Sequence, residues 1–254
     1  MPLVFTAAIP NAPALASELA PDFSGTHSKT YTALQELIGE LYFMKPDTLI
    51  FLTAAGSQIP ELMNTNISST LRNKTLNHCF NSDVEFAAHL KETIDLGERK
   101  EPMTIIAETD VAPEVSVPLA YVLAHLEKTK VVMVSTAQLS LKEHYAFGEF
   151  LRHAALDTNK RVAVLASGSL GVTEHTADTH AQTFDTLCCD FIRHKEQEKI
   201  LQINPEIIQT AKADIVQPLS VLLGVIHKLN VRPEVLSYEL LHGAGQLVAN
   251  FVLL

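Results

Sequence analysis

Cysteine is scarce in this 254-residue chain: Cys79, Cys188 and Cys189 are the only three. An odd number with an adjacent pair excludes a disulfide framework, because neighbouring cysteines rarely bridge and one thiol is always left over. Positive charge is short as well. Lys and Arg number 19 against 29 Asp and Glu, a formal net charge of −10, and the basic residues form only groupings such as Glu98-Arg99-Lys100 and His194-Lys195. Such a surface repels phosphate, which excludes nucleic acid and anionic membranes as partners. No Gly/Ser linker, low-complexity tract or internal repeat divides the sequence. Its final apolar run, QLVANFVLL, falls well short of the roughly 20 residues a membrane-spanning helix needs. The opening MPLVFTAAIPNAP has no basic leader region and its apolar run stops at Pro10, so a first strand is expected there, not a signal peptide. A cytoplasmic protein is the expectation.

What is present is core. Hydrophobic residues make up 47% of the chain and the mean hydropathy is +0.14, enough to bury a large interior. Apolar runs of strand length recur at Leu3–Ile9, Thr48–Thr53, Met103–Ala107, Lys130–Ser135, Val162–Ala166 and Gln246–Leu253. Runs this apolar suit strands buried on both faces of a mostly parallel sheet. Ser82-Asp-Val-Glu85 and Ser140-Leu-Lys-Glu143 read as capping boxes that start helices.

Amphipathic helices are expected over Ser140–Leu156 and over Thr176–Lys199, the latter with Phe184, Leu187, Phe191 and Ile192 inward. Asp214–Leu229 reads as an unusually apolar helix in the core or at an interface. The stretch Gly56–Phe80, with Asn64, Asn66 and Asn73, is the least regular and reads as a loop over the carboxyl ends of the strands. This alternation predicts an α/β fold: one domain over residues 1–254, in three layers, with a mostly parallel central sheet flanked by helices.

Several residue groups carry candidate chemistry. Glu174, His175, Asp178 and His180 form a compact set able to bind Zn²⁺ or a similar ion. The plainer reading is an exposed helix start, where acids favour the amino end. Ser167-Gly168-Ser169-Leu170-Gly171 approaches the Gly-x-Ser-x-Gly nucleophile elbow but lacks its first glycine. The plainer reading is a tight strand-to-helix turn that needs small residues. Cys188 and Cys189 point about 100° apart on a helix and read as small core hydrophobes, whereas Cys79 is more open. His89, His125, His144 and His153 read as surface or boundary residues of helices.

Taken in order, a further set of segments resembles the class III extradiol ring-cleaving dioxygenases, in their catalytic LigB-type domain. The Pro-His-x-Pro-like turn of that family corresponds to Ile9-Pro10-Asn11-Ala12-Pro13, with asparagine in the histidine place. Its strand ending in Pro-His-Gly corresponds to Pro46-Asp47 through Ala54-Ala55-Gly56, with alanine there. Asp110-Val111-Ala112 before Pro118-Leu119 corresponds to its mid-chain Asp-His-Gly. Ser167-Gly168-Ser169-Leu170-Gly171-Val172 corresponds to Ser-Gly-x-Leu-Ser-His, so that Val172 takes the acid/base position. Thr183-Phe184-Asp185 and Tyr238 through Gly245 match the later motifs. The likeness covers roughly residues 3–252.

The resemblance implies Fe(II) held by two histidines and a carboxylate, with a further histidine moving the substrate proton. Here the family ligand positions fall on Asn11 and Ala55, the carboxylate falls around Asp214–Gln217, and Val172 cannot transfer a proton. The 11 histidines of the chain lie elsewhere. The expected protein is therefore a LigB-type domain without its iron centre, serving as a binding, regulatory or partner subunit. A small-molecule cleft is expected at Asn11, Ala55, Ser167, Ser169, Val172, His175 and His242. No cofactor is expected in that case, and the partner is a second copy or a paralogous subunit. The alternative is an active metal-dependent dioxygenase on a catechol-like substrate, with Fe(II) on displaced ligands such as Glu174, His175 and Asp214.

Overall fold

The computed structural model describes residues 2–11, 29–73, 78–95, 101–173 and 179–254. The apolar runs form an eight-stranded sheet ordered β6-β3-β7-β2-β8-β1-β10-β9. Its centre is four parallel strands: β7 (Lys130–Ser135), β2 (Thr48–Thr53), β8 (Val162–Ser167) and β1 (Leu3–Ile9). Here β1, β2 and β7 have the expected limits and β8 extends by one residue. Beyond β1 the sheet turns antiparallel, through β10 (Ala244–Leu253) and the edge strand β9 (Val231–Leu241). At the other edge, β3 (Met63–Asn66) runs antiparallel to β7 and parallel to β6 (Met103–Ile106).

Strand alternation sorts the core into two faces. Leu49, Phe51, Val131, Met133, Ala163 and Leu165 pack with α1 (Lys29–Met44) and α3 (Pro113–Leu123). Ile50, Leu52, Val132, Val134, Val162 and Val164 pack on the opposite face. There they meet α2 (Val84–Asp95), α4 (Leu141–Leu156), α5 (Thr179–Arg193) and α7 (Val216–Val225). The single α/β domain with three layers is thus observed.

The stretch Gly56–Phe80 differs from the expected loop. It contains β3, β4 (Thr70–Asn73) and β5 (His78–Asn81), the last two forming a separate hairpin. Asn64 has no solvent exposure and bonds Ser57, Ile59 and Leu62, so a polar residue serves as core there. The long helix expected at Thr176–Lys199 is α5 followed by a 3-10 turn, Gln197–Gln202, and then by α6 (Pro205–Ala211). Leu187 is exposed rather than inward, and Cys188 and Cys189 take the buried face. The capping box at Ser140 is complete, with Glu143 and Ser140 each bonding the other's backbone amide. At Ser82 the cap lies one residue later. Asp83 accepts the Phe86 amide at 3.1 Å, and its carboxylate also binds Thr48 and Lys160. His144, expected near the surface, is fully buried with Nδ1 2.9 Å from the Ser140 carbonyl.

The late apolar helix lies wholly in the core. Every residue of α7 from Pro218 to Val225 is buried, so its apolar character is consumed within the chain. It crosses α4 at Gly148 and Gly224, where a Cβ on either glycine would sit 1.9–2.0 Å from a carbonyl oxygen of the other helix. Among the described residues no helix is long and apolar enough to cross a membrane.

Candidate functional site

The four parallel strands end on one edge, where the register sets Ile9, Ser167, Thr53 and Ser135 in a row. Their hydroxyls hold the chain that leaves the sheet. Ser135 Oγ donates to the Ala55 carbonyl at 2.8 Å, and Thr53 Oγ1 accepts the Ala55 amide at 3.1 Å. Ser167 Oγ donates to the Pro10 carbonyl at 3.4 Å. Open α/β sheets place their ligand sites outside this edge.

Above the row stands one polar cluster. Asp214, just before α7, receives the Asn11 carboxamide at Oδ2 (2.9 Å). Its Oδ1 receives both the amide and the hydroxyl of Ser169, the hydroxyl at 3.1 Å. Asn11 and Ser169 are buried, and Asn11 Oδ1 has no hydrogen-bond partner among the described residues. Burial pushes the Asp214 carboxyl up from its ordinary range, and the charge of Glu114 adds to this. The Ser169 bonds and the Asp214 backbone amide pull the other way. Glu114 lies in the first turn of α3, a neighbour that sequence reasoning missed.

Gly168 makes the cluster sterically feasible. A Cβ there would lie 2.6 Å from the Ile215 Cα and 2.8 Å from Asp214 Oδ1. The small-residue turn is thus a packing requirement. Ser169 keeps ordinary backbone geometry, with no positive φ, and its hydroxyl is committed to a carboxylate, unlike the nucleophile of a strained elbow. Outside the cluster, a cavity of about 460 Å³ opens between Leu139, Leu141, Pro205, Ile208, Gln209 and Asp214. A second cleft, of about 830 Å³, lies at the opposite, amino end of the strands, between Tyr42, Pro46, Asp47 and Thr129.

The remaining candidates divide. Val172 is half-buried and bridges Ala244. His242 is exposed in the β9–β10 hairpin, where φ of +51° at His242 and +78° at Gly243 fits a type I′ turn. That turn is fastened to Thr173, whose amide donates to the Gly243 carbonyl at 2.6 Å, so His242 lies beside the Val172 segment. Glu174, His175 and Asp178 lie outside the described residues. His180 is exposed in the first turn of α5. Among the described residues no group of three or more His, Cys, Asp or Glu is placed to hold a metal. A fully buried carboxylate, Asp185, accepts the Gly171 amide and the Tyr238 hydroxyl; the motifs included both Asp185 and Tyr238, but their contact was not legible.

A family model described as "Catalytic LigB subunit of aromatic ring-opening dioxygenase" matches residues 7–249. The chain belongs to the LigB family. Among solved structures this LigB chain is similar to the crystal structure of an uncharacterized protein, JW3007, from Escherichia coli K12. The TM-score is 0.67 at 12% identity, covering 98% of this chain and 99% of that one, a likeness of fold. Over 134 residues it is 25% identical to "Protein CA_C1420" of Clostridium acetobutylicum. That match takes in 51% of this chain and 29% of the relative, so the chain matches less than a third of that longer protein.

Proposed function

We propose that this LigB-family domain works without the Fe(II) centre of its family and binds a small molecule at the carboxyl edge of the sheet. It serves as a cytoplasmic binding, regulatory or partner subunit, as a homodimer or with a paralogous chain. The observation that carries this reading is the state of Asp214. Both of its oxygens are taken up by Asn11 and by the amide and hydroxyl of Ser169.

The residues at the family's ligand positions do not fit Fe(II). Extradiol-type iron wants two imidazoles and a free carboxylate. Position 11 offers a carboxamide and position 55 a methyl group, and the nearest carboxylate is already occupied by donors. Val172 has no proton to move. The cleft residues of this reading are Asn11, Ala55, Ser167, Ser169, Val172 and His242, with His175 on the segment beyond Val172. For the assembly, α7 is spent inside the chain, and the edge strand β9 is one surface that could meet a partner.

Metal analysis of protein purified without oxygen, then Fe(II) titration with a catechol and an oxygen electrode, tests the proposal. Expected are no bound metal, no saturable Fe(II) uptake and no oxygen consumption. One iron per chain with oxygen uptake would favour the alternative, a dioxygenase using displaced ligands such as Glu174, His175 and Asp214.

A further inference from the structure

Asn11 lies two residues after β1, Ser169 lies in the turn after β8, and Asp214 opens the approach to α7. They are 203 and 45 positions apart in sequence from Asp214, yet they meet at one carboxylate. We propose that Asn11, Asp214 and Ser169 form a latch that takes the cross-linking place of a metal ion, so that the carboxyl edge holds its shape with no metal bound. This rests on the metal-free reading above and assigns its central residues a job.

Three features support the latch. First, the carboxylate has about four acceptor positions. Asn11 Nδ2, Ser169 N and Ser169 Oγ fill three, and the backbone amide of Asp214 itself also bears on it. Little remains for a cation.

Second, the orientation of Asn11 is set by this bond. Turning the carboxamide over would press its oxygen against Asp214 Oδ2, so the amide faces the carboxylate even though Oδ1 has no hydrogen-bond partner among the described residues.

Third, the latch is backed by the chain itself. Ile215 donates its amide to the Ser169 carbonyl at 3.1 Å, and the missing side chain of Gly168 lets these backbones approach. Asn11 and Ser169 are themselves buried, which limits the access of water to the donor side of the bonds.

The test is urea unfolding of the full chain, purified anaerobically, in EDTA and with added Fe(II), for wild type, Asn11→Ala, Asp214→Ala and the double variant. The latch predicts the same wild-type midpoint in EDTA and Fe(II). It also predicts that the two substitutions are coupled by a factor of about three or more in the unfolding equilibrium constant. Should Asp214→Ala fail to fold, the cycle of Asn11→Ala with Ser169→Ala gives the same readout through the shared carboxylate. Additive effects with no response to iron would overturn the latch and leave the metal-free reading standing. A saturable rise of the midpoint with Fe(II), absent in Asp214→Ala or Asp214→Asn, would overturn both.

Discussion

Tyr238 donates its phenolic hydrogen to Oδ2 of Asp185 at 2.7 Å, and Oδ1 of the same carboxylate accepts the Gly171 amide at 2.6 Å. Asp185 has no solvent exposure, and a Cβ on Gly245 would lie 2.1 Å from Oδ2. One side chain of α5 thereby ties the turn after β8 to both closing strands. Burial pushes its pKa up to about 6, against the two hydrogen bonds that hold it down.

That shift sets a pH dependence. The carboxyl binds its proton more tightly in the folded chain than in the unfolded one, where 3.8 is the ordinary value. Its stabilising contribution is therefore complete below about pH 4 and is lost as pH rises through 6. Two pKa units correspond to about 3 kcal/mol. Asp185→Asn keeps the shape and removes the titration. Urea unfolding between pH 4.5 and 7.5 should show wild type losing about 2 kcal/mol relative to the variant as pH rises. Parallel profiles would mean that Asp185 does not titrate in this window.

Gly148 and Gly224 give the sharpest steric prediction. Alanine at either position drives a methyl group into a carbonyl oxygen of the facing helix, and backbone cannot yield as a side-chain tip can. Each substitution should cost about 3 kcal/mol or more, at the upper end of overpacking. Thermal unfolding of Gly39→Ala is the control, since nothing lies within 4 Å of that site. A Gly224→Ala variant as stable as the control would contradict the close crossing.

Thiol labelling should separate the three cysteines. Cys79 is exposed, while Cys188 and Cys189 are buried. Burial raises the Cys188 pKa well above its ordinary value and pushes Cys189 up to about 12. Because the thiolate is the reactive form, iodoacetamide should modify one cysteine in the native chain and three after denaturation, by mass spectrometry. Native labelling at Cys189 would place that face of α5 outside the core.

Asp83 predicts an acid effect of the opposite sense. Burial would raise its carboxyl, but bonds from Lys160, Thr48 and the Phe86 amide outweigh it and hold the pKa below the ordinary 3.8. Its contribution is present above that value and disappears in stronger acid. Asp83→Ala loses a helix cap and leaves Lys160 and Thr48 without this partner, so unfolding should ease by about 2 kcal/mol at pH 7. A Lys160→Met variant that changes stability equally would assign the effect to the ion pair, and the cap would then contribute little.

The strands buried on both faces were the legible ones. Apolar runs mark β1, β2 and β7 with their observed limits, because a strand covered on both faces is apolar through most of its length, with Thr6 the one polar residue inside them. β9 escaped notice since it is half-buried at the sheet edge and carries Arg232, Pro233, Glu234 and Glu239. β3 escaped because its buried Asn64 and Asn66 read as turn residues, and only tertiary pairing makes them strand. At the site, the apolar runs and the family resemblance placed Asn11 and Ser169 in turns after strands and Asp214 at the start of the late helix, which begins two residues later, at Val216. Their meeting at one carboxylate depends on how turns 45 and 203 residues away fold back, which no local pattern encodes.

The hydroxyl row beneath the site has a consequence for substitution. Ala55 is gripped at both its amide and its carbonyl by Thr53 and Ser135, and Pro10 is held by Ser167, so these anchors ignore the side chains at 11 and 55. At position 55 the side chain can therefore change without disturbing these backbone anchors. The platform under the site is thus built from backbone held by the strands' own hydroxyls, separate from the side chains that stand above it.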